Sequence, residues 1–147
     1  MPKCKDFKNF KERGEWVEAQ FIAQALRMGF KVLKPWGDSS AYDVGVEHGR
    51  EFLRMQVKST SYRLGNGYQC GFKPNRRGAQ YSTKTVDFFA AYVIPQNAWY
   101  VIPSSVVLKT KSHDLMLCPV RQPKRDLYHY EGYREAWNLM RRPTRRA

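Results

Sequence analysis

Two periodicities divide the chain. From about Gly14 to Met28 the apolar residues recur at helical spacing. At about 100° per residue, Val17, Phe21, Ile22, Ala25, Leu26 and Met28 fall within roughly half a turn, which predicts an amphipathic helix. Gly29 follows, and with no Cβ it suits a left-handed helix cap. Phe30 to Leu33 predicts a short strand, and Pro35-Trp36-Gly37-Asp38-Ser39-Ser40 a loop of turn residues. The period then changes to two. Val44 to Val46 leads through Glu47-His48-Gly49-Arg50 into a run where Leu53, Met55 and Val57 alternate with Arg54, Gln56 and Lys58. That is a hairpin pattern, with Gln56 and Lys58 on one face of its second strand. Asp43, opening the first strand, then lies close to Lys58 near the end of the second.

Downstream, glycines 65, 67, 71 and 78 break the segment Ser59 to Lys84 into a hairpin or long loop. Val86 to Ile94 is almost continuously apolar, which predicts a central strand covered on both faces. Pro95-Gln96-Asn97 joins it to a second strand, Trp99 to Ile102. A short helix capped by Ser104, a strand from Leu115 to Pro119 and a last helix from about Tyr130 to Met140 complete the expected elements. Neither a repeat nor a second domain is evident. The expectation is a single domain over 1–147 with short basic tails at about 1–12 and 141–147.

Composition adds a partner. The 147 residues hold 26 Lys and Arg against 13 Asp and Glu, a net charge of +13, which points to a polyanion and most often to nucleic acid. Arg63, Lys73, Arg76, Arg77 and Lys84 alternate with Tyr62, Tyr68, Phe72 and Tyr81, a mixture suited to phosphates and bases. With Ser39 and Ser40 from the earlier loop, those five cations are the candidate DNA contacts. Cys4, Cys70 and Cys118 are too scattered for a disulfide framework or a zinc knuckle. No run approaches a membrane span and no signal peptide is recognisable, so a soluble, cytoplasmic protein is expected. His48, His113 and His129 are isolated, and His48 sits in the hairpin turn, at the far end from Asp43 and Lys58.

A carboxylate, an amide oxygen and an ammonium converging at one strand end suit a divalent cation held beside a phosphate. Magnesium takes hard oxygen ligands and keeps several waters. Asp43 is the first candidate ligand, the Gln56 side-chain oxygen the second, and the Val57 carbonyl a main-chain contributor. Lys58 can stabilise the charge of a pentacovalent phosphorus or hold the attacking water. Glu18 falls near the middle of the helix's apolar arc, where a carboxylate is costly unless paired. It is either a core Glu satisfied by a nearby Lys or Arg, or a ligand or water-orienting carboxylate; Glu15, at the edge of the arc, is second.

Glu18, Asp43 and Gln56-Val57-Lys58 resemble the active-site signature of the PD-(D/E)XK nuclease superfamily. The order is similar to that of small intron-encoded homing endonucleases and archaeal Holliday-junction resolvases. The likeness runs from roughly Arg13 to Thr60, including Gly14 four residues before Glu18 and Gly29-Phe30 after the helix. Tyr42 stands where the name-giving proline would be, and Gln56 where Asp or Glu is usual; the homing-endonuclease-like branch is similar in using Gln. The resemblance implies an α/β, restriction-endonuclease-like core with a mixed central sheet flanked by helices. It further implies a magnesium-dependent DNA endonuclease, in which manganese can substitute, acting as a homodimer or homotetramer. The alternatives are a Holliday-junction resolvase and a nuclease-fold DNA-binding protein weakened through Gln56. From a different class, a ribosome-associated basic protein would bind rRNA without metal dependence.

Overall fold

The computed structural model describes residues 7–74, 80–120 and 129–141. Helix α1 (Phe10–Arg27) begins four residues earlier than the apolar period suggests, because Asn9 caps it: its Oδ1 accepts the Lys11 N–H at 2.9 Å. The predicted tail at 1–12 therefore runs into the helix. At the other end Gly29 has φ +86°. The Gly29 N–H donates to the Leu26 carbonyl and the Phe30 N–H to the Ala25 carbonyl, a Schellman closure. Phe30 thereby becomes a buried plug under the helix end, and strand β1 is only Lys31–Leu33. Val17, Phe21 and Ala25 are the fully buried stripe of α1; Leu26, expected in it, is 55% exposed because the helix seats on a narrower face.

Strands β2 (Val44–His48) and β3 (Glu51–Thr60) form the expected hairpin, with Val46 opposite Leu53 and Val44 opposite Met55. β4 (Arg63–Leu64) and β5 (Gly67–Gly71) follow, then β6 (Phe88–Val93), β7 (Ala98–Pro103), helix α2 (Ser104–Leu108) and β8 (Asp114–Leu117). The main sheet has the order β1-β2-β3-β6-β7, with β3 and β6 parallel and the other pairs antiparallel. A second sheet, β4-β5-β8, is antiparallel. The fold is α/β with a mixed central sheet, as the resemblance implied.

Every residue of β6 is buried, as its unbroken apolar run required. Phe88, Ala90 and Tyr92 join the core under α1, while Phe89, Ala91 and Val93 join a second core with the small sheet and α2. Three expectations fail at the edges. Ser104 is the first residue of α2, with Pro103 at the cap and no side-chain capping bond. The last strand runs from Asp114 to Leu117, stopping short of Pro119. The terminal helix is replaced by two 3₁₀ turns, Glu131–Tyr133 and Trp137–Arg141. Gly132 weakens a helix there, and Glu135, at φ +52°, breaks it. The Glu135 carboxylate accepts from the Trp99 N–H at 2.9 Å and the Trp137 Nε1–H at 2.7 Å, and Arg134 bridges to Tyr100. Docking to β7 thus replaces helical bonds, and Trp137 stacks on Phe21 with ring centroids 5.6 Å apart.

Candidate active site

The site forms where β2 ends and β3 continues. The Asp43 N–H donates to the Met55 carbonyl at 2.9 Å, one residue beyond the last strand pair. Past that point the backbone groups of Val57 on the β2 side have no strand partner. The Asp43 carboxylate fills the gap, its Oδ2 accepting the Val57 N–H at 2.9 Å. In an extended strand a residue's N–H and C=O point to the same side. The Val57 carbonyl therefore also faces the Asp43 side, away from β6.

Gln56 and Lys58 project from the opposite face to Leu53, Met55 and Val57, which pack under α1. Gln56 is only 8% exposed. Its Nε2 donates to the Ala41 carbonyl at 3.2 Å and to the Tyr81 hydroxyl at 2.8 Å. Lys58 is half-buried; its Nζ donates to the Lys73 carbonyl at 3.1 Å and lies 5.2 Å from the Tyr81 ring centroid. Asp43, Gln56, Val57 and Lys58 line one cleft of about 450 Å³. Arg13 and Gly14 of α1 form one wall, and Gly71, Lys73 and Asp114 the other.

Glu18 stands one turn beyond Gly14, outside the cleft lining. It is partly buried and ion-paired with Lys34, whose charge also acts on Asp43. Lys34 is thus the cation beside Glu18, and it links that carboxylate electrostatically to Asp43. Glu15 is exposed. Of the candidate DNA contacts, Lys73 reaches the cleft, while Ser39, Ser40, Arg63 and Lys84 are exposed on loops or the small sheet. Arg76 and Arg77 lie outside the described residues. The aromatics expected among those cations mostly face inward: Tyr68 and Phe72 are core residues, and only Tyr62 is open at 62%. Trp36 is 99% exposed at the tip of the loop that supplies Ala41 and Asp43. His48 is at the far end of β2 and packs edge-on against Phe30. Cys70 and Cys118 are buried, free thiols, the first pushed up to about 12 by desolvation. Among the described residues no three His, Cys, Asp or Glu cluster as a metal site, so any cation here depends on neutral oxygens as well. No described helix is long and apolar enough to cross a membrane.

Charge at the site is held against burial. Desolvation raises the Asp43 carboxyl above its ordinary 3.8, opposed by the Val57 N–H and by Lys58 and Lys34. Desolvation lowers Lys58 below its ordinary 10.5, opposed by Asp43. A raised carboxyl contributes stability below pH 3.8 that is lost as pH rises through its folded pKa. A lowered ammonium contributes above pH 10.5 and loses that as pH falls through its folded pKa. Near neutrality both are therefore costs to the metal-free fold. Asp43→Asn is expected to raise the melting temperature at neutral pH in chelator, and to lose that advantage as the pH falls through the folded pKa of Asp43. Thermal melts across pH check this; a lower melting temperature at neutral pH would mean that the Val57 and Lys58 contacts outweigh desolvation.

The family model described as PD-(D/E)XK endonuclease matches residues 8–140. Among solved structures the chain is similar to a bacterial homing endonuclease, I-Ssp6803I, at 31% sequence identity and a TM-score of 0.77, over 91% of this chain and 92% of that one. No curated protein sequence matches. A family match over residues 8–140, together with a structural likeness at 31% identity over most of both chains, settles the family: the chain belongs to the PD-(D/E)XK endonucleases.

Proposed function

We propose that the chain is a magnesium-dependent endonuclease that hydrolyses phosphodiester bonds in DNA, with manganese able to substitute. The observation that carries this is the convergence of Asp43, Gln56, Val57 and Lys58 on one cleft. The donor set fits a hard cation: a carboxylate, an amide oxygen and a main-chain carbonyl. Among the described residues Asp43 Oδ1 has no hydrogen-bond donor, and the desolvated carboxylate would gain from a positive charge. When bound, the divalent ion supplies charge neutralisation at the phosphate and acidifies water.

The chain's own residues do the rest. Lys58, fixed by the Lys73 carbonyl, presents an ammonium that can hold the attacking water or offset the charge gathering on phosphorus. Arg13 and Lys73 flank the cleft and can seat the neighbouring phosphates. Glu18 keeps Lys34 beside Asp43. DNA as the substrate is supported by the net charge of +13 and by the likeness to a homing endonuclease. Because one site cuts one strand, scission of a duplex calls for a homodimer or homotetramer. Analytical ultracentrifugation of the full chain tests that assembly.

Supercoiled plasmid incubated at low salt is expected to relax and linearise with magnesium or manganese and to stay intact in chelator. Gln56, neutral where a carboxylate is usual, favours one second reading, a weakened nuclease that only binds. Strong plasmid binding with no cleavage in either metal would select it. Affinity should fall steeply with salt: a protein engaging six to ten phosphates loses about 10³- to 10⁵-fold between about 50 and 200 mM. Fluorescence anisotropy against a salt series measures the slope, and a flat response would remove the backbone-contact reading.

A further inference from the structure

A carboxylate and an amide differ in how they meet a cation. A carboxylate presents oxygen whichever way it turns. An amide presents oxygen in one orientation and two N–H donors in the other, and the second repels a cation. A site that uses Gln56 therefore needs something to choose the orientation. Resting on the metal-dependent reading above, we propose that Tyr81 is a positioning residue that, with the Ala41 carbonyl, locks the Gln56 amide with its oxygen turned to the cleft.

The hydrogen bonds carry the argument. The Ala41 main-chain oxygen can only accept, so the Gln56 atom facing it at 3.2 Å is the nitrogen. The remaining Nε2 hydrogen goes to the Tyr81 hydroxyl at 2.8 Å. With both hydrogens taken, Oε1 is turned away from both acceptors, and among the described residues it receives no hydrogen bond. Gln56 lines the cleft beside Asp43, so that oxygen is the amide atom left for it.

Tyr81 is itself held. Its ring meets Phe89 edge-on with centroids 5.3 Å apart, and Phe89 meets Phe72 in the same way. Phe89 lies opposite Gln56 in the parallel β3–β6 register. The row of rings therefore fixes the distance from β6 to the amide. The same Tyr81 ring lies under the Lys58 ammonium. Burial, with the Asp43 charge adding to it, pushes the phenol up to about 12, so the hydroxyl stays neutral near physiological pH. One side chain thus addresses both Gln56 and Lys58, and neither the sequence motif nor the spacing of its members includes it.

Tyr81→Phe removes the hydroxyl and keeps the ring on Phe89 and under Lys58. The test is manganese affinity of the full chain, read by electron paramagnetic resonance without DNA, in wild type, Tyr81→Phe, Gln56→Glu and the double variant. Losing one hydrogen bond to the amide is expected to weaken manganese binding about 3- to 10-fold, beside a small fall in the metal-free melting temperature because an Nε2 hydrogen loses its acceptor. With Glu at position 56, the same removal should change affinity by less than about 2-fold, because a carboxylate has no wrong face. Wild-type affinity retained by Tyr81→Phe, while wild type cleaves with metal, overturns the positioning role alone. So does an equal loss in both backgrounds, which would mark Tyr81 as general packing. A wild type that neither binds manganese nor cleaves overturns both this role and the nuclease reading.

Discussion

Asp43→Ala is expected to remove metal-dependent cleavage, lowering the single-turnover rate by about 10²- to 10³-fold or more, while DNA affinity in calcium or chelator stays within a few-fold of wild type. Two effects act together. The carboxylate that lines the cleft beside Gln56 and Val57 is lost, and the Val57 N–H that Asp43 accepts is left without its acceptor. Lys58→Ala should give a loss of similar size by another route, removing the ammonium from the cleft and its bond to the Lys73 carbonyl. DNA affinity depends on many cations, so the removal of one charged group from the centre of the cleft should hardly change it. Glu18→Ala is the graded comparison: it acts on Asp43 through Lys34, so its loss should be smaller than that of either cleft residue. Single-turnover cleavage beside anisotropy separates the two quantities. An Asp43→Ala protein that binds poorly in chelator would show that the residue shapes the DNA surface, and one that still cuts would remove it from the chemistry.

The parts of this site legible in the sequence are those that depend on period alone. Alternation from Leu53 to Lys58 fixed which side chains share a face, and the Glu47-His48-Gly49-Arg50 turn fixed which strand end they approach. The continuous apolar run of β6 foretold a strand buried on both faces. What failed depends on partners distant in sequence. Trp137 has helical neighbours in the sequence, yet its indole N–H goes to Glu135 and its ring to Phe21, so tertiary contacts displaced the helix. Tyr68 and Phe72 sit among cations in the sequence, but Tyr68 in β5 and Phe72 just after it, its N–H donating to the His113 carbonyl, turn into the second core. Tyr81 was visible only as one of those aromatics; its bond to Gln56 spans 25 residues and follows no local pattern. Asn9, by contrast, could have been found: Glu12 lies three residues after it, the spacing of a capping box.

Phe89→Ala is expected to be the most damaging single change near the site that touches no candidate ligand. Phe89 is fully buried in the second core, opposite Gln56, with Phe72 and Tyr81 both edge-on at 5.3 Å. Truncating such a ring costs about 3–5 kcal/mol, since transfer energy is lost and the rigid sheet beneath cannot close the void. For a chain of this size that corresponds to a melting temperature lower by about 10 °C or more. Phe89→Leu keeps much of the volume and should cost about 1.5 kcal/mol or less, leaving a folded protein in which the seat of Tyr81 is altered. Denaturant melts of both variants measure the cost. If Phe89→Ala lost less than about 1 kcal/mol, the neighbouring rings would have to collapse inward, and Tyr81 would leave Gln56 as they did. Either result bears on β3, because the Phe89 ring that stabilises the sheet also seats Tyr81, whose hydroxyl meets the Gln56 amide.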